Sequence, residues 1–100
     1  MQTVSEIQIT PVKPNNGLRA FCSFVLYEAI YCSSIALFTR QDGTIRLVYP
    51  TKKLGSKDLN IFHPISQQIG KFIEAEVSKK FKDVMKNDRH SINNTIGNGL

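Results

Sequence analysis

Lys52, Lys53 and Lys57 cluster in the stretch PTKKLGSKDLNIFHPIS, residues 50–66, with His63 following and Gln67, Gln68 and Lys71 just beyond. Lysines this close are point charges suited to phosphate oxygens, giving affinity and salt dependence but little sequence information. The same three side chains could equally form a solvated loop that aids solubility. His63 is the natural candidate for a general base. That role needs a nucleophile or proton donor in hydrogen-bond reach and an orienting partner. Asp58 and Ser66 are near in sequence, but no nucleophile motif accompanies them. Otherwise His63 closes a strand, Pro64 fixes the turn into a helix, and the imidazole touches a phosphate beside the basic loop. Gln67 and Gln68 stand at an expected helix start, where free amides and a partial positive charge attract anions. They could pair with adenine edges in a major groove, or simply occupy an exposed first turn.

These residues predict binding rather than turnover: no catalytic residue, no metal, no cofactor and no small-molecule substrate. Charge agrees with that expectation. Residues 1–50 hold four Lys/Arg against three acidic residues, net +1, while residues 51–100 hold nine against five, net +4. The excess lies in the half that carries the lysine cluster, so a polyanion, chiefly nucleic acid, is the natural partner. Lys79, Lys80, Lys82 and Lys86 lie late in a helix, where they complement its dipole, and Glu76 is spaced to pair with Lys79 or Lys80. Arg40 and Arg46 flank a hairpin and fit either a structural or a binding role. Phe62, Phe72 and Phe81 are expected in the core, since no aromatic motif of an RNA-reading sheet accompanies them.

One hundred residues with 41% hydrophobic content are enough for one folded domain and too apolar for a disordered chain. Cys22 and Cys32 sit in strand-like apolar runs, which predicts reduced, buried side chains rather than a disulfide or metal site. No apolar run reaches the ~18 residues of a membrane span. The opening MQTVSEIQIT has no basic start followed by an apolar run, so no signal peptide and a cytoplasmic location are expected.

The elements that would position these residues follow from periodicity. VSEIQIT alternates, with Ile7 and Ile9 on one face, and Pro11 should end this strand or lie at a sheet edge. Asn16-Gly17 tolerates the positive φ angles of a tight hairpin turn. LRAFCSFVLY puts Leu18, Ala20, Cys22, Phe24 and Leu26 on one side, with Arg19, Phe21, Ser23, Val25 and Tyr27 on the other. AIYCSSIALFTR reads as the next strand, Asp42-Gly43 as a turn, and IRLVY as a strand that Pro50 stops. Residues 51–58 read as a loop and LNIF, residues 59–62, as a short fifth strand. Ser66 is an expected N-cap, followed by a helix with Ile69, Phe72, Ile73, Val77, Phe81, Val84 and Met85 along one stripe. Gly70 is costly within a helix, so the first turn should fray or pack closely on something. Beyond Lys86 the periodicity ends, predicting a domain at residues 1–86 and a polar tail at 87–100.

The fold class expected is therefore α+β: an antiparallel sheet of about five strands, then one long C-terminal amphipathic helix. One helix covers one sheet face. The apolar side chains Phe21, Val25 and Tyr27 on the other face predict a homodimer that buries them.

In this order and spacing the chain resembles the stage V sporulation protein G (septation protein G) family of small bacterial regulators. VSEIQITPV resembles its opening strand, GLRAFCSFVL its second, YPTKK its Pro-Ser-Arg/Lys-Lys segment, and HPIS its His-Pro-Ile-Asn/Ser before a C-terminal helix. The likeness covers about residues 4–86. Two departures stand out: Ser33-Ser34-Ile35 replaces a His-Asp pair before isoleucine, and Gln67-Gln68-Ile69-Gly70-Lys71 delays the first basic residue of the helix. The resemblance implies a homodimer, binding to DNA and often RNA, roles of the sporulation, septation and cell-division type, and no catalysis. It favours phosphate contact for the lysine cluster. A non-catalytic protein-interaction module is the other expectation, and an enzyme built on His63 is a third.

Overall fold

The computed structural model describes residues 2–99, with side chains described for residues 2–86. Four strands form one antiparallel sheet in sequence order: β1 (Val4–Asn15), β2 (Leu18–Leu26), β3 (Ile30–Thr39) and β4 (Ile45–Val48). A second, two-stranded sheet follows, β5 (Thr51–Leu54) and β6 (Lys57–Asn60), and then one helix, α1 (Gln67–Gly99). The class is α+β with an antiparallel sheet, as the periodicity predicts. The count of strands is not. Residues 51–58 do not form a loop and 59–62 do not form a lone fifth strand, because residues 51–60 fold back on themselves as a hairpin.

Turn chemistry sets the first register. Asn16 and Gly17 have φ of 52° and 89°, the paired left-handed conformation of a two-residue hairpin turn, and they join Asn15 to its partner Leu18. Pro11 lies within β1 opposite Ala20. It is tolerated there because β1 is an edge strand, so the missing N–H takes nothing from a neighbouring ladder. Asp42 shapes the β3–β4 turn: its carboxylate accepts the Thr44 N–H at 3.0 Å and the Thr44 hydroxyl at 2.6 Å.

Alternation along β2 sends Ala20, Cys22 and Phe24 inward, all buried, and leaves Phe21 outward and exposed. Ile35 and Leu37 of β3, Ile45 and Leu47 of β4, and Ile73, Val77 and Phe81 of α1 complete the core, with Ile7, Ile9, Tyr49, Phe62, Ile69 and Met85 packed against it. Both cysteines are free and buried in this cluster. Burial pushes the Cys22 thiol up to about 12, from 9.0, and raises that of Cys32. Phe72 departs from expectation. It is exposed, because the helix turns Ile69, Ile73, Val77, Phe81 and Met85, four residues apart, toward the sheet and carries Phe72 off that line.

Two bulges bend the sheet at one level. Between Ser5–Val25 and Gln8–Ser23, β1 has Glu6 and Ile7 where β2 has only Phe24, and Glu6 takes φ 50°. Between Cys22–Ile35 and Phe24–Cys32, β3 has Ser33 and Ser34 where β2 has only Ser23, and Ser34 takes φ 61°. Each extra residue kinks its strand and adds local twist.

The helix continues past Lys86, where the apolar stripe stops. The tail expected at 87–100 falls where side chains lie outside the described residues. Among the described residues no helix is long and apolar enough to cross a membrane.

Candidate nucleic-acid interface

The β5–β6 hairpin is an arm. Ile61 N–H donates to the Pro50 carbonyl at 3.0 Å and closes its base, while Gly55, at φ 66°, turns its tip. Every residue from Thr51 to Asn60 is exposed, and the two strands touch each other but no other element. Lys52 pairs with Leu59, Lys53 with Asp58 and Leu54 with Lys57. Directly paired residues share a face and neighbours along a strand alternate. The arm therefore has one face of Lys52, Leu54, Lys57 and Leu59, and another of Thr51, Lys53, Asp58 and Asn60. The three lysines do not form one cluster: Lys52 and Lys57 stand together, and Lys53 stands across the ribbon beside a carboxylate.

Residues 61–66 join the arm to α1. His63 is exposed and its Nδ1 lies 3.2 Å from the Pro64 carbonyl. Ser66 caps the helix, its Oγ accepting the Ile69 N–H at 3.2 Å while its carbonyl accepts the Gly70 N–H at 2.9 Å. Among the described residues no hydrogen bond joins His63 to Asp58 or Ser66, and the Ser66 hydroxyl oxygen is turned to the helix start instead. Gly70 lies against Pro64, whose Cγ is 3.6 Å from where a Cβ would stand. The close packing expected of this glycine is with the joint itself.

Gln67 and Lys71 line one shallow notch with Pro64 and Ser66, whereas Gln68 is exposed outside it. The first helical turn contains no acidic residue to offset the positive end of the dipole. Of the remaining cations, Arg40 is held at its turn, donating to the Ile45 carbonyl at 2.8 Å and the Thr44 hydroxyl at 3.3 Å. Arg46 lies over the Phe38 ring, 5.8 Å from its centroid. Lys79 meets Glu76 at 3.1 Å, the pairing that helical spacing predicts. Among the described residues no group of three or more His, Cys, Asp or Glu side chains is placed to hold a metal ion.

The outer sheet face holds residues that sequence reasoning undervalued. Gln8, Thr10, Phe21, Ser23, Tyr31 and Ser34 line a hollow of about 450 Å³ beside the two bulges. Tyr31 is 68% exposed. The signal was available: Tyr31 precedes the buried Cys32, so alternation turns it outward. The chain matches no known protein-family model and no curated protein.

Proposed function

We propose that this protein is a small, non-catalytic, homodimeric regulator that binds DNA or RNA through the basic arm and the adjoining helix start. The observation that carries this reading is the arm itself. A two-stranded ribbon fits the major groove of B-DNA, and this one projects lysines with no element of its own chain packed on it. An isolated hairpin is only marginally stable in water, so a partner is its natural support. Lys52, Lys53 and Lys57 neutralise phosphates, Gln67, Gln68 and Lys71 extend the contact along the helix start, and His63 lies at the joint between them. The exposed Phe21 and Tyr31 support a dimer through the outer sheet face. With the motif resemblance, these features favour a sporulation- and septation-type regulator acting in the cytoplasm.

The test is binding to a random-sequence duplex and a single-stranded RNA across a salt series, with oligomeric state measured in parallel. Replacing Lys52 and Lys53 together with alanine should weaken binding on all sequences and flatten the salt slope. Unchanged affinity and slope would remove the arm from the interface. Leu54 and Leu59, exposed at 63% and 46% on the same arm, favour a second reading as a protein-interaction module. Release from DNA already at very low salt would select it.

A further inference from the structure

Burial of Ala20, Cys22 and Leu37 on the inner face turns their neighbours Phe21 and Phe38 to the outer one, as burial of Cys32 does for Tyr31. Phe21 pairs with Ala36, and Tyr31 pairs with Val25. Between those two pairs lies the level where β3 bulges, with Ser33 and Ser34 set against Ser23 alone. The hollow of about 450 Å³ opens at this level, with Phe21, 41% exposed, toward one end and Tyr31, 68% exposed, toward the other.

Between the rings the lining is polar: Gln8 and Thr10 from β1, Ser23 from β2 and Ser34 from β3. The amide and the hydroxyls both donate and accept, and no charged side chain lines the hollow. A flat group with apolar faces and polar edges matches this lining, its face on a ring and its edge toward the amide and hydroxyls. A nucleobase is such a group, and it is free to act so only in an unpaired strand, where its faces and pairing edge are open. Charge complementarity supports a strand as the occupant. The four strands of this sheet carry Lys13, Arg19 and Arg46 against Glu6 alone. Arg46, between the buried Ile45 and Leu47, stands on the outer face over the Phe38 ring.

We propose that the outer sheet face binds single-stranded nucleic acid, with one base stacked on Tyr31, another on Phe21, and base edges meeting Gln8, Ser23 and Ser34 between them. The backbone then runs on toward Arg46. This inference rests on the nucleic-acid reading of the function and adds to it a second site, for unpaired bases, apart from the phosphate-binding arm. The rings are open to a strand only where a second copy does not cover them.

The probe is a random-sequence RNA octamer, compared with a random-sequence DNA duplex, on the full chain. Tyr31→Ala should weaken octamer binding about five- to 150-fold, the worth of one stacked base. It should leave the salt slope unchanged, because the ring carries no charge, and leave duplex binding as in the parent. The chain contains no Trp, so Tyr31→Trp supplies a single reporter, which should keep the octamer affinity and be quenched saturably as bases stack on it. No octamer binding by the parent, equal affinity of parent and Tyr31→Ala, equal weakening on the duplex, or an unquenched Tyr31→Trp would overturn the proposal. So would a Tyr31→Ala chain that binds the octamer as the parent does but changes from dimer to monomer, which would assign the hollow to a second copy. Lys52→Ala with Lys53→Ala tests the arm separately. If that pair changes nothing while Tyr31→Ala weakens the octamer, the arm reading falls and this site stands. If Tyr31→Ala fails to fold, the quenching of Tyr31→Trp decides alone.

Discussion

The four-stranded body and the two-stranded arm use the same ladder and are held in different ways. In the body, Phe24, Ile35, Leu37, Ile73 and Val77 are wholly enclosed, and each strand is fixed because sliding it would turn its buried side chains outward. In the arm every side chain is exposed, and Leu54 and Leu59 contribute apolar surface that nothing in the chain covers. Backbone hydrogen bonds are common to both, so they do not distinguish them. Burial does: it gives the body its stability and leaves the arm available to a partner. On the proposed function, changes in the body should therefore be read as stability, and changes in the arm as binding.

The largest effect belongs to the body's centre. Phe24→Ala should cost about 3–5 kcal/mol, the lost burial plus the cavity left behind. That is a large part of what a domain this size has, so urea titration should find the variant largely unfolded or its midpoint sharply lowered. A loss under about 1 kcal/mol would mean that this core is as loosely held as the arm.

The next effect is pH-dependent and again confined to the body. Cys22 is pushed to about 12 against 9.0 for a free thiol, so folding favours its neutral form. Its contribution is complete below pH about 9 and declines as pH rises toward about 12, because the unfolded chain ionises first. Unfolding free energy measured at about pH 8 and about pH 10.5 should fall for the parent. In Cys22→Ala this alkaline fall should be smaller, although the variant starts lower. The same fall in Cys22→Ala would assign the alkaline loss to other groups.

At the boundary between the two regions, Ser66→Ala removes the oxygen that accepts the Ile69 N–H and should cost about 1 kcal/mol. Equilibrium unfolding reads the cost, and amide exchange should localise it to the first turn of α1. A loss spread over the whole sheet would show the joint to be part of the body.

The same contrast governs what was legible in the sequence. Asn16-Gly17 announced its turn because few residue pairs accept left-handed φ at both positions, and β2 announced its faces because burial imposes a period of two. Ser66 was visible as a cap from chemistry alone. The arm was hidden because nothing buries it. Lys52, Leu54, Lys57 and Leu59 share a face, so no apolar alternation marks 51–60, and lysine disfavours strands. The bulges at Glu6-Ile7 and Ser33-Ser34 were invisible because they exist only relative to β2. The β2–β3 turn was equally hidden, since Tyr27 and Glu28 take φ of 54° and 55° without a glycine or asparagine to signal it. In the candidate interface, residue types pointed to phosphate, while the division of the lysines between two faces required the register.

That division gives the sharpest test and the smallest stability effect. Lys52→Ala, Lys53→Ala and Lys57→Ala should each leave the melting transition within about 0.5 kcal/mol of the parent, as exposed positions do. Binding should separate them. If the arm docks by its Lys52–Leu54–Lys57–Leu59 face, then Lys52→Ala and Lys57→Ala should each lower the salt slope on duplex DNA by about one. Lys53→Ala should do less, because Lys53 stands opposite Asp58, a charge that repels phosphate. Asp58→Asn then discriminates further: it should strengthen binding only if the Lys53 face is near the backbone. Equal slopes for all three lysine variants would mean that both faces meet phosphate, as for a ribbon lying edge-on in a groove. No change in any of them would leave the arm's exposed leucines as its contact surface and turn the search toward a protein partner.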